Sequence, residues 1–379
     1  MGNLEAHDSP AFNRGSLIPQ FLNFPITKLF NSPLPSGQNV EVGGRFLKLT
    51  NLDKVLYPKA GFTKSQVIDY YARVAPVLVP HLAGKPLTLK RYPNGVDQQF
   101  FFEKNATKHR PDWVKTAPIW SEGNSRNVNY ILANDLATLI WVANLAAIEL
   151  HPSLSLAKEI TCPCSLVFDL DPGPPANIIQ CSQVAFWLRA IFDRFELESF
   201  PKTSGSKGLQ IYVPLNTKTS YDETKSFAHA LARLLENEHR DLVVSDMKKA
   251  IRTNKVFVDW SQNDEHKTTI SVYSLRARER PTVSTPVRWA EVEAAHKKKD
   301  ATLLVFESNQ VLERVEKFGD LFAPLLSLKQ KLPKLAGIEQ GKAEAIATGL
   351  GMAAQAERRP AKKAPAPQRV GAKKRARKV

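Results

Sequence analysis

Cysteine is nearly missing. Cys162, Cys164 and Cys181 are the only three in 379 residues. An odd, clustered trio does not make the disulfide framework of a small secreted domain. "CPC" at 162–164 supplies half a zinc site, but no second Cys/His pair stands at zinc spacing. The thiols read as ordinary reduced cysteines. No apolar run approaches the ~20 residues that a membrane-spanning helix needs. The opening "MGNLEAHDSPAFNRG" lacks the basic-then-apolar pattern of a secretory signal. Ala6 stands where myristoylation requires Ser or Thr. The expectation is a soluble cytoplasmic protein with no membrane partner. A phosphate loop of the GxxxxGK[ST] type is also lacking.

Acidic residues are in short supply. Lys and Arg number 53 against 37 Asp and Glu, a formal net charge of +16. That excess favours a polyanionic partner, nucleic acid first. The charge is uneven. Residues 351–379 hold ten Lys/Arg and one Glu, a net of +9, which leaves +7 for the rest.

Residues 1–42 are rich in Pro, Asn, Ser and Gly and read as an irregular lead-in. Residues 333–379 turn to Ala, Gly, Gln, Lys and Pro and read as a disordered basic tail, unable to bury enough apolar area to offset its ordering entropy. Between them, 43–332 reads as one α+β body. "TKSQVIDYYARVAPVLVPHLAG" predicts a helix with Thr63 as N-cap. "KPLTLKRYPNG" predicts a strand and a turn. "NDLATLIWVANLAAIELH", 134–151, is apolar nearly all round and predicts one buried helix. "SLVFDLD", "LQIYVPL", "KVFVDW" and "TTISVYSLRAR" predict strands. "CSQVAFWLRAIFDRFEL", "YDETKSFAHALARLLENEHR", "RWAEVEAA" and "ESNQVLERVEKFGDLFAPLL" predict helices.

The chemistry starts at "SLVFDLDPGP". Asp169 and Asp171 share one face of a strand, ~6.6 Å apart along it. Two desolvated carboxylates on one face repel, and a divalent cation between them removes that penalty. Hard oxygen ligands suit Mg²⁺ or Mn²⁺. Taken alone, the pair fits a strand end equally well, one Asp in solvent and the other capping the turn. "NKVFVDW" delivers a third carboxylate, Asp259, at another strand end. Three such aspartates suit a two-ion nucleotidyl-transfer site. A haloacid-dehalogenase-type phosphatase carries a related Asp-x-Asp, but Pro172 and Gly173 follow here. "KTSGSKGLQIYVPL" sets Ser204, Gly205, Ser206, Lys207 and Gly208 in a small loop suited to phosphate oxygens. Arg276 and Arg278, at i and i+2, suit a triphosphate. Lys90, Arg91 and Lys104 interleave with Phe100, Phe101 and Phe102, a pattern suited to base stacking, with Phe100 assigned to the core. His151 lies shortly before the aspartate strand as a candidate phosphate or ribose contact.

Together, "NLDKVLYP…TK", "PLTLKRYPNGVDQQFFFEK", "LATLIWVANLAAIELHP", "LVFDLDPGP", "KTSGSKGLQIYVPL", "VFVDW" and "YSLRARERPTVSTPVRW" resemble the polymerase domain of the bacterial LigD proteins, of the archaeo-eukaryotic primase superfamily. The resemblance runs from about 45 to 332. It implies a primase-like fold with catalytic Asp at strand ends. The implied activity is a DNA-repair polymerase that extends a primer 3′-hydroxyl at gaps and double-strand-break ends in non-homologous end joining, with ribonucleotides preferred. It implies two Mn²⁺ or Mg²⁺ ions on Asp169, Asp171 and Asp259. It implies that Lys90, Phe102, His151, Ser204, Lys207 and Arg276 serve the nucleotide (NTP or dNTP). Lys54 and Lys64 match lysines holding a downstream 5′-phosphate. With Phe101, Lys104, Arg252 and Arg278 they make the expected DNA-binding set. Ku and a separate ATP-dependent DNA ligase are the expected partners, since no KxDG ligase lysine motif is found. Gln210 departs from the family's SGxKGxHxYVPL pattern, which has His there. That departure motivates the alternative, a non-catalytic or weakly active DNA-end-binding module.

Overall fold

The computed structural model describes residues 37–333. Two hairpins come first: β1 (Gly37–Val42) with β2 (Arg45–Thr50), then β3 (Val55–Tyr57) with β4 (Phe62–Thr63). β1 lies inside the stretch expected to be irregular, so the ordered body begins by Gly37. Its inward residues, Val40 and Val42, alternate over too short a run to stand out from the Pro- and Ser-rich approach. The rest of the expected lead-in and the basic tail from 334 lie outside the described residues.

α1 (Lys64–Leu82) begins where its caps dictate. Thr63 and Gln66 form a capping box, each side chain taking a backbone N–H that the first helical turn leaves unpaired. The first larger sheet follows: β5 (Leu87–Arg91), β6 (Phe101–Glu103), β7 (Thr116–Ser121) and β8 (Arg126–Ile131). α2 (Leu136–Asn144) and β9 (Ala147–Pro152) complete this half, β9 lying antiparallel to β5. The single helix expected over 134–151 is thus a helix and then a strand. Ala146 takes a left-handed conformation (φ 57°), which ends the helix and turns the chain onto β5.

The second half holds β10 (Ser165–Pro172), α3 (Ile178–Arg194), β11 (Phe200–Thr203), β12 (Leu209–Pro214) and α4 (Tyr221–Glu238). β13 (Val243–Val244), β14 (Val256–Asp259), α5 (Trp289–Lys298), α6 (Ser308–Phe318) and the short α7 (Pro324–Ser327) follow. Its sheet runs β11-β12-β10-β14-β13, antiparallel except for β13 beside β14. The segment "TTISVYSLRAR", expected as a strand, joins no ladder, because the chain turns at Val272–Tyr273, where Tyr273 is left-handed (φ 62°). One isolated bridge, between Leu275 and Val283, and backbone hydrogen bonds to Leu150, Thr282 and Ser284 hold it.

The core has two parts. Around the first sheet, Tyr71, Leu78, Leu89, Leu139 and Leu150 are fully buried. Around the second, Phe168, Leu188, Phe192, Phe227 and Leu231 are fully buried, with α3 and α4 presenting apolar residues at helical spacing. Each such side chain contributes about 1.5–3 kcal/mol. β10 is apolar on its core face and carries its carboxylates on the other, so burial of Phe168 and Leu170 fixes which way the aspartates point.

Candidate active site

Antiparallel register sets up the acidic end. Asp169 on β10 lies opposite Asp259 on β14 and, on the other side, opposite Gln210 on β12; Gln210 in turn lies opposite Lys202 on β11. One row, Lys202–Gln210–Asp169–Asp259, therefore crosses four strands. Asp171 follows Asp169 on the same face. Burial raises the Asp169 carboxyl above the ordinary carboxylate range, and the charges of Asp171 and Asp259 add to it; the Gln210 amide and the Lys202 ammonium pull the other way. Burial and Asp259 also raise Asp171, against the pull of Arg252 and Arg276.

Asp259 is occupied. Its Oδ1 accepts from the Ser261 N–H (3.0 Å) and hydroxyl (2.5 Å), and its Oδ2 accepts from Gln262 Nε2 (2.8 Å). It caps the short turn after β14. Among the described residues, no three Asp, Glu, His or Cys side chains form a ready-made cage for an ion. Asp169 differs: its Oδ1 is buried and has no hydrogen-bond partner. A buried acceptor left unmatched beside two like charges is a fit for a hard divalent cation.

The "SGSKG" loop sits directly beside this row. Ser204 Oγ accepts from the N–H groups of Ser206 (3.3 Å) and Gly208 (3.1 Å), so it shapes the loop from within. Gly205 has φ +66°, and a Cβ there would lie 2.5 Å from the Val283 backbone. A Cβ on Gly208 would lie 2.3 Å from the Leu170 carbonyl oxygen. Gly208 thus brings the loop against the aspartate strand itself, and Gly205 brings it against the Val283–Ser284 backbone. Lys207 is exposed at the tip, lining a cleft of about 320 Å³ with Ser206, Pro172 and Asn177.

The basic end centres on a residue that sequence reading missed. Glu149 on β9 is 3% exposed. It lies opposite Lys90 on β5 and two residues before His151. His151 Nε2 is 3.0 Å from its Oε2, Lys90 Nζ is 3.7 Å away, and its Oε1 accepts from Arg276 Nε and the Ala277 N–H, both at 3.1 Å. Burial alone would raise Glu149, but the His151 hydrogen bond and the charges of Arg276 and Lys90 hold it well below the usual range. Arg276 also donates to the Ser204 carbonyl (2.7 Å). Phe102 stands edge-on to His151 at 6.2 Å, and the Lys90 ammonium sits 4.1 Å from the Phe100 ring centre. Phe102 is 56% exposed and Phe100 44%. Phe100 therefore belongs to this open aromatic face and not to the core, because β6 is short and leaves its approach uncovered. The signal that would have found Glu149 is "IELHP" read as a strand.

A second basic cluster lies at the start of α1. Lys64 is buried, its Nζ donating to the Thr50 carbonyl (2.6 Å), and Lys54 donates to Asn94 Oδ1 (2.8 Å). Burial, and then the charges of Lys54 and Arg91, push Lys64 down to about 8. Neither lysine has a carboxylate within ion-pair distance among the described residues. Arg91 is paired with Glu103 (2.5 Å) and lies 5.0 Å over Phe101.

The remaining predicted residues fall in three places. Arg278 donates to the Ser206 hydroxyl at the phosphate loop. Arg252 donates to the Met247 carbonyl and lies 3.6 Å over the Phe257 ring, close enough to lower Asp171. Lys104 is not drawn into either cluster. It lines a separate cleft of about 370 Å³ with Trp120, His266 and Lys267.

Residues 63–322 match the family model described as "LigD, primase-polymerase domain". The chain belongs to this family. It is 42% identical over 281 residues to the multifunctional non-homologous end joining protein LigD of Mycolicibacterium smegmatis, covering 74% of this chain and 36% of that protein. With the bifunctional LigD of Bacillus subtilis the identity is 32% over 297 residues, covering 78% and 47%. The chain thus spans between a third and a half of these relatives. The solved polymerase domain of Mycobacterium tuberculosis Ligase D, in complex with DNA, superposes with a TM-score of 0.69 at 40% identity, covering 75% of this chain and 99% of that one. The fold is that of the LigD polymerase domain, as the sequence motifs implied, and the enzyme class is nucleotidyltransferase.

Proposed function

We propose that this LigD-family domain adds nucleotides to a primer 3′-hydroxyl at gaps and double-strand-break ends, serving non-homologous end joining. The observation that carries the reading is the juxtaposition at β10. Mutually repelling carboxylates with an unmatched buried oxygen lie directly against a glycine loop and a cationic cluster. That pairing suits a polyphosphate whose charge develops at one end of the site.

Asp169, Asp171 and Asp259 would hold two divalent cations, Mn²⁺ or Mg²⁺. When bound, these supply Lewis acidity at the 3′-hydroxyl and neutralise the triphosphate. Release of Asp259 from its Ser261 and Gln262 caps is part of that proposal. Lys90, Lys207 and Arg276 offset charge on the transferring and leaving phosphates. Phe101 and Phe102 offer stacking faces to bases. Lys54 and Lys64 hold a 5′-phosphate on the downstream strand, and so register the gap. Ribonucleotides are the proposed preferred substrate. Ku and an ATP-dependent ligase are the proposed partners, since extension up to a 5′-phosphate leaves a nick to be sealed.

Primer extension on a gapped duplex with Mn²⁺ and ribonucleotides tests the reading. Extension with stoichiometric pyrophosphate release is expected, together with a loss of about 100-fold or more in Asp169→Asn. Tight DNA binding with no extension under any divalent cation would replace it with the end-binding alternative.

A further inference from the structure

We infer that Glu149 is the positioning residue of the nucleotide pocket: it joins the pocket's two halves through Arg276 and fixes which nitrogen of His151 carries the proton. The inference rests on the polymerase reading for what the pocket holds, though not for the geometry.

The two halves belong to different sheets. Lys90 and His151 stand on β5 and β9, while Ser204 and Lys207 belong to the β11–β12 loop. Between the two groups runs Arg276, in a segment that joins no ladder. Its guanidinium donates to Glu149 Oε1 with Nε and to the Ser204 carbonyl with NH1. Glu149 is therefore the fixed end of a short chain, carboxylate to guanidinium to phosphate loop. The Ala277 N–H on the same Oε1 pins the backbone of that segment as well.

Both oxygens are engaged by the protein. Oε1 takes Arg276 and Ala277; Oε2 takes His151 and faces Lys90 at ion-pair distance. A buried anion engaged in this way would repel a phosphate that approached it. Its function is exercised through its neighbours. An ionised carboxylate only accepts hydrogen bonds, so the Nε2 that meets it is the protonated nitrogen of His151. In the neutral ring Nδ1 is then the acceptor. Burial also favours the neutral ring, by lowering the His151 pKa against the pull of Glu149. The carboxylate removes one unit of charge from a group of cations. Lys90 and Arg276 together still exceed it, so the pocket stays attractive to a polyphosphate while its cations do not repel one another out of place.

The test uses the full chain with Glu149→Gln. The amide is nearly isosteric, but its NH₂ must face His151 Nε2 and Lys90. Expected are a fall of about 10- to 100-fold in affinity for a non-hydrolysable nucleoside triphosphate, the range for a lost charge-assisted hydrogen bond, and a shift of the His151 ring proton to Nδ1 in ¹⁵N spectra. Affinity for gapped 5′-phosphorylated DNA should stay near that of the unsubstituted chain, while the unfolding temperature falls, because a buried carboxylate held below its ordinary range stabilises the fold at neutral pH. An equal fall in nucleotide and DNA affinity would make Glu149 general fold support and overturn the inference. So would unchanged nucleotide affinity. The unsubstituted chain supplies an independent check that does not need the variant to fold. A neutral His151 protonated on Nε2 is expected, and one protonated on Nδ1 refutes the placement. A chain that binds no nucleotide but keeps the Nε2 proton refutes the polymerase reading while leaving the geometry of Glu149 intact.

Discussion

Lys64 holds a charge where burial works against it. Its ammonium is pushed down to about 8 by burial and by Lys54 and Arg91, so it titrates near physiological pH. A phosphate seated between these cations gains most while Lys64 is protonated. The preference for gapped DNA with a 5′-phosphate over the same DNA without one should therefore be full near pH 7 and shrink as pH rises through 8 to 9, measurable by fluorescence anisotropy. The stability sign is opposite. The folded Lys64 binds its proton less tightly than the unfolded residue does, so its contribution disfavours folding at neutral pH and this penalty fades above about 8. Lys64→Met should abolish the 5′-phosphate preference and raise the unfolding temperature at pH 7. Asp169 follows similar logic with its charge reversed. Asp169→Asn removes a buried carboxylate repelled by Asp171 and Asp259. Calorimetry should record a gain of about 2–4 °C in the same variant that loses extension. A loss of stability would mean that the row is held together and not strained.

At the scale of elements, β10 and the loop after β11 must meet backbone to backbone. Gly208→Ala would set a methyl 2.3 Å from the Leu170 carbonyl oxygen, and neither partner is the end of a flexible chain. Loss of nucleotide binding and a fall in unfolding temperature of several degrees are expected, readable in one thermal-shift series with and without nucleotide. Thr63 announces α1, where the structure adds Gln66 to make a capping box. The Ser220–Glu223 box that opens α4 is of the same kind. The run 134–151 was not legible, because a buried helix and a buried strand are equally apolar and differ only in spacing. The consequence was chemical. In a strand, Glu149 and His151 share a face; in a helix they stand about 200° apart. Reading one helix therefore hid the carboxylate beside a histidine that had been singled out. Phe100 was misplaced for a related reason: nothing in "QQFFFEK" says that β6 spans only three residues and leaves its aromatics uncovered.

At the scale of the whole molecule, two sheets, each with its own core, face their polar residues toward shared ground. Arg276 spans them. Residue types at strand ends were readable in order along the chain, and the motifs implied the family that the comparisons establish. Register was not readable. That Asp169 stands opposite both Asp259 and Gln210, with Lys202 beyond, depends on pairings between strands up to 90 residues apart. The capping of Asp259 by Ser261 and Gln262 was equally hidden, although it decides that the third carboxylate is turned to its own turn. The central claim is that this row works as a unit in nucleotidyl transfer. Single-turnover extension of a gapped primer by Asp259→Ala, alongside its affinity for the same DNA, tests it most directly. Extension lost by about 100-fold or more with DNA affinity within about threefold of the unsubstituted chain is the predicted result. Comparable extension by the variant would contradict the account.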